Sequence, residues 1–153
     1  MFLIKSDKYR DMGVLLLRVG IGISFMVHGY PKIIGGLESW TKLGKAFTDL
    51  GFDLLPGFWG FMAAFSEFGG GFLLAIGLLT RPASFLMFVT MIVALLMHLK
   101  QGDTFGRYSN ALKSGVIFLS FLFIGPGKYS LDEFAMNKLN IWKRAESKSN
   151  TSS

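Results

Sequence analysis

The 153-residue chain contains no cysteine. That absence excludes disulfides, thiolate nucleophiles, Cys-ligated zinc and iron–sulfur clusters in one step. Charge is also scarce, at 17% of residues against about 25% in an ordinary soluble domain. Only two histidines are present, and no metal site is expected. What the chain has in quantity is apolar: 51% hydrophobic residues, with 16 Phe, 8 Met and 19 Gly, and a mean hydropathy of +0.45. Bulky lipid-compatible side chains together with glycine, which lets helices approach closely, are the composition of a polytopic membrane protein. The net charge of +6 would suggest nucleic acid in a soluble protein. Here the Lys and Arg residues flank apolar runs, so lipid headgroups and topology account for them and no nucleic-acid partner is expected.

Four stretches approach the roughly 20 helical residues needed to cross the hydrocarbon, near 12–34, 57–79, 82–99 and 110–125. None alternates apolar with polar residues as a membrane strand would. The expected fold is therefore all-α, a polytopic membrane four-helix bundle. The first run contains Arg18 and leads into H-G-Y-P-K rather than a cleavage site, so it reads as a retained helix and not a secretory signal. With four spans, ten basic residues fall on the side of the termini and six on the other. This bias puts both termini in the cytoplasm and the protein in the inner (cytoplasmic) membrane.

Two shorter helices are expected as well. Trp40, Leu43, Phe47 and Leu50 recur at helical spacing between the first two spans, predicting an interfacial helix that caps a pocket. The run S-L-D-E at 130–133 is a capping box, with Ser130 as N-cap and Glu133 reaching back. It should start a short amphipathic helix ending near Trp142, with residues 146–153 a disordered tail. The whole is one membrane domain over 1–145.

Charges at membrane depth cost at least about 2.5 kcal/mol each, which makes every one a functional candidate. This chain places Arg18, His28 and Lys32 on the first span, Glu67 on the second and His98 at the end of the third. At 100° per residue Arg18, Gly22, Phe25, Gly29 and Lys32 share one stripe. Glu67 belongs to the row Ala63, Glu67, Gly71, Ala75, small residues that let another helix pack closely. Counting depth from the ends of the runs sets Glu67 between His28 and Arg18, predicting an Arg18–Glu67 ion pair with His28 and Lys32 completing a polar path. Lys32 taken alone reads as a snorkelling lysine, and His98 beside Lys100 as an interfacial one. Pro31 removes a hydrogen bond to Val27, so the first helix is expected to kink or end there, leaving free carbonyl capacity beside His28.

Three segments carry a resemblance: L-L-R-V-G-I-G through H-G-Y-P-K at 16–32, E-F-G-G-G-F-L-L-A-I-G-L-L-T-R-P at 67–82, and G-P-G-K-Y-S-L-D at 125–132. Together they resemble the DoxX family of small four-helix membrane proteins, related to the membrane subunit of archaeal thiosulfate:quinone oxidoreductase. The chain departs from that pattern at 108–110, where related proteins often carry an acidic residue and this one has Ser109 and Asn110. The resemblance implies a cytoplasmic-membrane subunit or accessory protein of a redox system, with a redox-enzyme partner and a quinone as cofactor. Arg18, His28, Lys32 and Glu67 would line the pocket, with His98 as an additional member. A quinone needs donors at its carbonyls and a proton path, which these side chains can supply. A non-catalytic scaffold and a small-solute transporter are the alternatives. A haem held by His28 and His98 is disfavoured because the two lie at different depths. A homo-oligomer is compatible with all of these.

Overall fold

The computed structural model describes residues 6–51 and 54–150, with side chains described over 8–51 and 54–141. Among these residues there are six helices and no strand: α1 Ser6–Ile34, α2 Gly36–Asp49, α3 Pro56–Ile76, α4 Thr80–Lys100, α5 Phe105–Ile124 and α6 Leu131–Asn150. Lys8–Ile34, Pro56–Ile76 and Thr80–Lys100 are long and apolar enough to cross a membrane. The fourth expected span, at 110–125, corresponds to α5, which begins earlier at Phe105 and ends at Ile124. That helix has the length, but its first half is polar, with Arg107, Ser109, Asn110, Lys113 and Ser114.

The helix ends follow from local chemistry. α3 stops at Ile76 because Gly77 adopts φ 73°, in the left-handed region that favours glycine. The N–H groups of Gly77 and Leu78 then return to the carbonyl of Leu73 at 2.9 and 3.0 Å, a closing pattern that satisfies carbonyls otherwise left open. The expected span to residue 79 is thereby shortened. Pro82 sits in the first turn of α4, where its missing N–H would have had no helical partner. Pro31 neither ends nor interrupts α1, which continues to Ile34. Only the last turn lies beyond it, so the backbone loses little to the ring. α6 likewise exceeds its expected end near Trp142 and is helical to Asn150, which overlaps the tail expected to be disordered. Lys143, Arg144, Ala145 and Glu146 are strong helix formers and carry it on. Residues 151–153 lie outside the described residues.

α1 and α3 run antiparallel in close contact. A Cβ added at Gly22 would lie 2.6 Å from the carbonyl oxygen of Gly71, and one at Gly29 would lie 2.5 Å from the amide nitrogen of Phe68. Glycine at these positions lets the two backbones touch and fixes their register. α2 lies on α3 in the same way, with Trp40 edge-on to Phe61 and Phe47 stacked on Trp59. Its aromatic face is turned against α3 and half-buried there, as a capping helix requires. α4 and α5 share a core of Met87, Met91, Ala111, Phe118 and Phe121 with Leu74 of α3. The ring closes where Phe25 of α1 meets Phe118 edge-to-face at 4.8 Å between centroids. Toward the end of the bundle where α1 and α4 finish and α5 begins, α1 and α5 part, and a cavity opens between them.

Candidate functional site

Among the described residues a partly buried ion pair joins Lys32 to Glu67. Lys32 Nζ donates to both carboxylate oxygens, at 2.7 Å to Oε1 and 2.5 Å to Oε2, and Glu67 is 6% exposed. The expected Arg18–Glu67 pair does not form, and the glycine register explains why. Gly29 sits level with Glu67 and Phe68, while Arg18 sits level with Gly77. The eleven residues from Arg18 to Gly29 span about 16 Å of helix, beyond the reach of a guanidinium. Lys32, one turn past Gly29, is the cation that the register delivers.

Arg18 is instead enclosed at the opposite, terminal end of the bundle, 1% exposed. Its Nη1 donates to the carbonyl of Pro126 and its Nη2 to that of Tyr129 at 2.5 Å. It thus pins the G-P-G-K-Y-S connection between α5 and α6. Gly125 and Gly127, at φ 77° and 73°, turn those carbonyls inward. Asp132 completes the knot: its carboxylate accepts from the N–H groups of Leu79 and Thr80 at 2.8 and 2.9 Å, capping α4 from another helix. Ser130 Oγ accepts from the N–H of Glu133 at 3.1 Å, the first half of the expected capping box. The carboxylate of Glu133 engages Asn137 at 3.3 Å.

The other candidates gather in the cavity between α1, α3, α4 and α5, which has a volume of about 290 Å³. His28, Lys32, Glu67 and His98 line it, joined by Arg107 and Asn110 of α5, against an apolar wall of Ile21, Phe25 and Met91. Arg18 is not among its lining residues. His28 Nδ1 lies 3.0 Å from the carbonyl oxygen of Ser24, one turn earlier on α1. His98 Nδ1 lies 2.7 Å from Asp103 Oδ2, and Arg107 Nη1 donates to Asp103 Oδ1 at 2.6 Å. Asp103 belongs to the α4–α5 loop, and its carboxyl is held below the usual range by the hydrogen bond to His98, then by that to Arg107. A second cavity of about 520 Å³ lies on the α2 side of the same wall. Lys32, Glu67, Ala94 and His98 line both, so the ion pair and one imidazole separate the two spaces.

Sequence reasoning missed Asp103, Arg107 and Asn110. The four-residue spacing from Asp103 to Arg107 across a helix start is a legible ion-pair signal. Nothing in the sequence shows that the loop folds this pair back onto His98.

A DoxX family model matches residues 13–99, a stretch that includes Arg18, His28, Lys32, Glu67 and His98 but stops short of Asp103 and Arg107. The chain is 32% identical over 134 residues to the inner membrane protein YqjF of Escherichia coli K12, covering 86% of this chain and 98% of that protein. It is 32% identical over 132 residues to an uncharacterized protein of Haemophilus influenzae, covering 82% and 92%. A shorter match, 38% identical over 90 residues, joins it to a Bacillus subtilis protein named as a candidate oxidoreductase, CatD, with 59% of this chain and 62% of that one covered. No solved structure matches the chain. An all-α polytopic membrane protein matched by one family model from the first half of α1 to the end of α4, and aligned with two relatives over nearly their full length, this chain belongs to the DoxX family.

Proposed function

We propose that this membrane protein binds a quinone-type ring in the four-helix cavity and serves a membrane redox system as a subunit or accessory protein. The observation that carries the reading is the cavity itself. Its volume of about 290 Å³ lies at the lower end of the range for small-molecule sites. Cationic, amide and imidazole groups converge on it from α1, α4 and α5, above an apolar wall suited to a flat ring. Charges at this depth are costly and need a use. The name of CatD speaks of oxidoreductase chemistry in that relative and lends weight to a redox setting. The basic-residue bias favours both termini on the cytoplasmic side of the inner membrane, with the cavity opening toward the other face.

The test is purification in native-lipid particles, then mass spectrometry of extracted quinones and of co-purifying proteins. Retained quinone is expected in the native protein and its loss in Ala94→Phe, which fills space beside both cavities. No retained quinone, and no difference between the two proteins in binding added short-chain quinone, would leave a non-catalytic scaffold as the better account.

A further inference from the structure

We infer that the cavity takes its ring ligand in the dihydroxy form, a hydroquinone-type diphenol whose two hydroxyls donate to Nε2 of His28 and Nε2 of His98. The inference rests on the quinone-type reading above and adds which redox form the site recognises.

The chain has two histidines, far apart in sequence, and both line one cavity. In each ring the Nδ1 position is already committed. His28 Nδ1 faces the Ser24 carbonyl at 3.0 Å. A carbonyl has no proton to give, so Nδ1 carries the hydrogen. His98 Nδ1 faces a carboxylate oxygen of Asp103 at 2.7 Å. The other oxygen of that carboxylate accepts from Arg107 at 2.6 Å. Asp103 is kept deprotonated by these two neighbours, so His98 Nδ1 also carries the hydrogen. A neutral imidazole with hydrogen on Nδ1 has one remaining polar function, an acceptor at Nε2.

The other strong acceptor in the cavity is engaged, since both oxygens of Glu67 receive Lys32. The cations of the wall are committed to carboxylates as well, Lys32 to Glu67 and Arg107 Nη1 to Asp103, so a ring set between the two imidazoles meets two unengaged acceptors there. In that position an oxidised quinone brings only carbonyl acceptors, and a carbonyl facing an imidazole acceptor leaves both unsatisfied, so its oxygens would have to turn away to the amide of Asn110 or the remaining N–H groups of Arg107. A diphenol brings two O–H donors and satisfies both. Sites built around a ligand hydroxyl discriminate strongly against the analogue that lacks it.

Two measurements on the full-length protein in lipid particles decide the matter. With two histidines in the chain, 15N-histidine labelling gives two imidazole spin systems. Both are expected to show protonated Nδ1 and unprotonated Nε2 at a pH where histidine is ordinarily neutral. Anaerobic titration with 1,4-naphthohydroquinone and with 1,4-naphthoquinone is expected to show the hydroquinone binding at least about tenfold tighter, with shifts at both Nε2 signals. His28→Leu and His98→Leu should each bring the hydroquinone affinity down toward that of the quinone. An Nε2–H tautomer at either ring, equal or tighter binding of the quinone, or a hydroquinone preference that survives both substitutions would overturn this inference while leaving a quinone site in place. Binding of neither form would remove the quinone reading and this inference with it.

Discussion

The two ends of the helical bundle handle charge in opposite ways. At the terminal end Arg18 and Asp132 are matched to backbone: the guanidinium to the carbonyls of Pro126 and Tyr129, the carboxylate to the N–H groups of Leu79 and Thr80. At the cavity end the charges are matched to side chains, Lys32 to Glu67 and Asp103 to both His98 and Arg107, and among the described residues each imidazole keeps one nitrogen unengaged. Backbone partners cannot change charge or move far, so the first arrangement fixes a loop and two helix ends. Side-chain partners can exchange protons and rotate. The same kinds of residue make a structural knot at one end and a site suited to chemistry at the other.

The largest effect expected from breaking this contrast is at Arg18. Arg18→Leu leaves two partly buried carbonyls without donors and should cost about 2–5 kcal/mol, read from unfolding in mixed detergent, with ligand binding impaired only in step with the folded fraction. A loss below about 1 kcal/mol would mean that the terminal knot does not hold the bundle. The next concerns pairing. A double-mutant cycle on Lys32→Leu and Glu67→Leu should show a coupling of about 1–3 kcal/mol, whereas Arg18→Leu with Glu67→Leu should be additive within about 0.5 kcal/mol. Coupling between Arg18 and Glu67 would show that the two ends are one network.

The smallest effect belongs to Asp103. Its carboxyl lies below the ordinary carboxylate range, so the unfolded chain takes up that proton first as pH falls. The resulting stabilisation is present above the ordinary value of about 4 and is lost as pH drops through the lower, folded value. Asp103→Asn should therefore be less stable than the native protein near neutral pH, with the gap closing in acid. A gap independent of pH would show that the carboxylate charge plays no part in the loop.

By itself the sequence determined the material and the local punctuation. The absence of cysteine, the apolar runs and the small-residue row through Glu67 fixed an all-α membrane chain with close helix contacts. G-P-G and S-L-D at 125–132 fixed a turn followed by a capped helix. These features act over a few residues, where propensity and hydrogen-bond supply settle the outcome. What only the tertiary structure decided is which charges meet. A shift of one residue between two helices moves a side chain by about 1.5 Å and 100°, and apolar patterning tolerates several such shifts. Backbone contact at Gly22 and Gly29 removes that freedom, and it hands Glu67 to Lys32 and leaves Arg18 to the loop carbonyls. The return of α5 along α4, with Asp103 in the short loop between them, then turns His98 from a residue at a helix end into a wall of the cavity. Helix offset is set by contacts between residues tens of positions apart, and that is why the partners of these charges had to be seen in three dimensions.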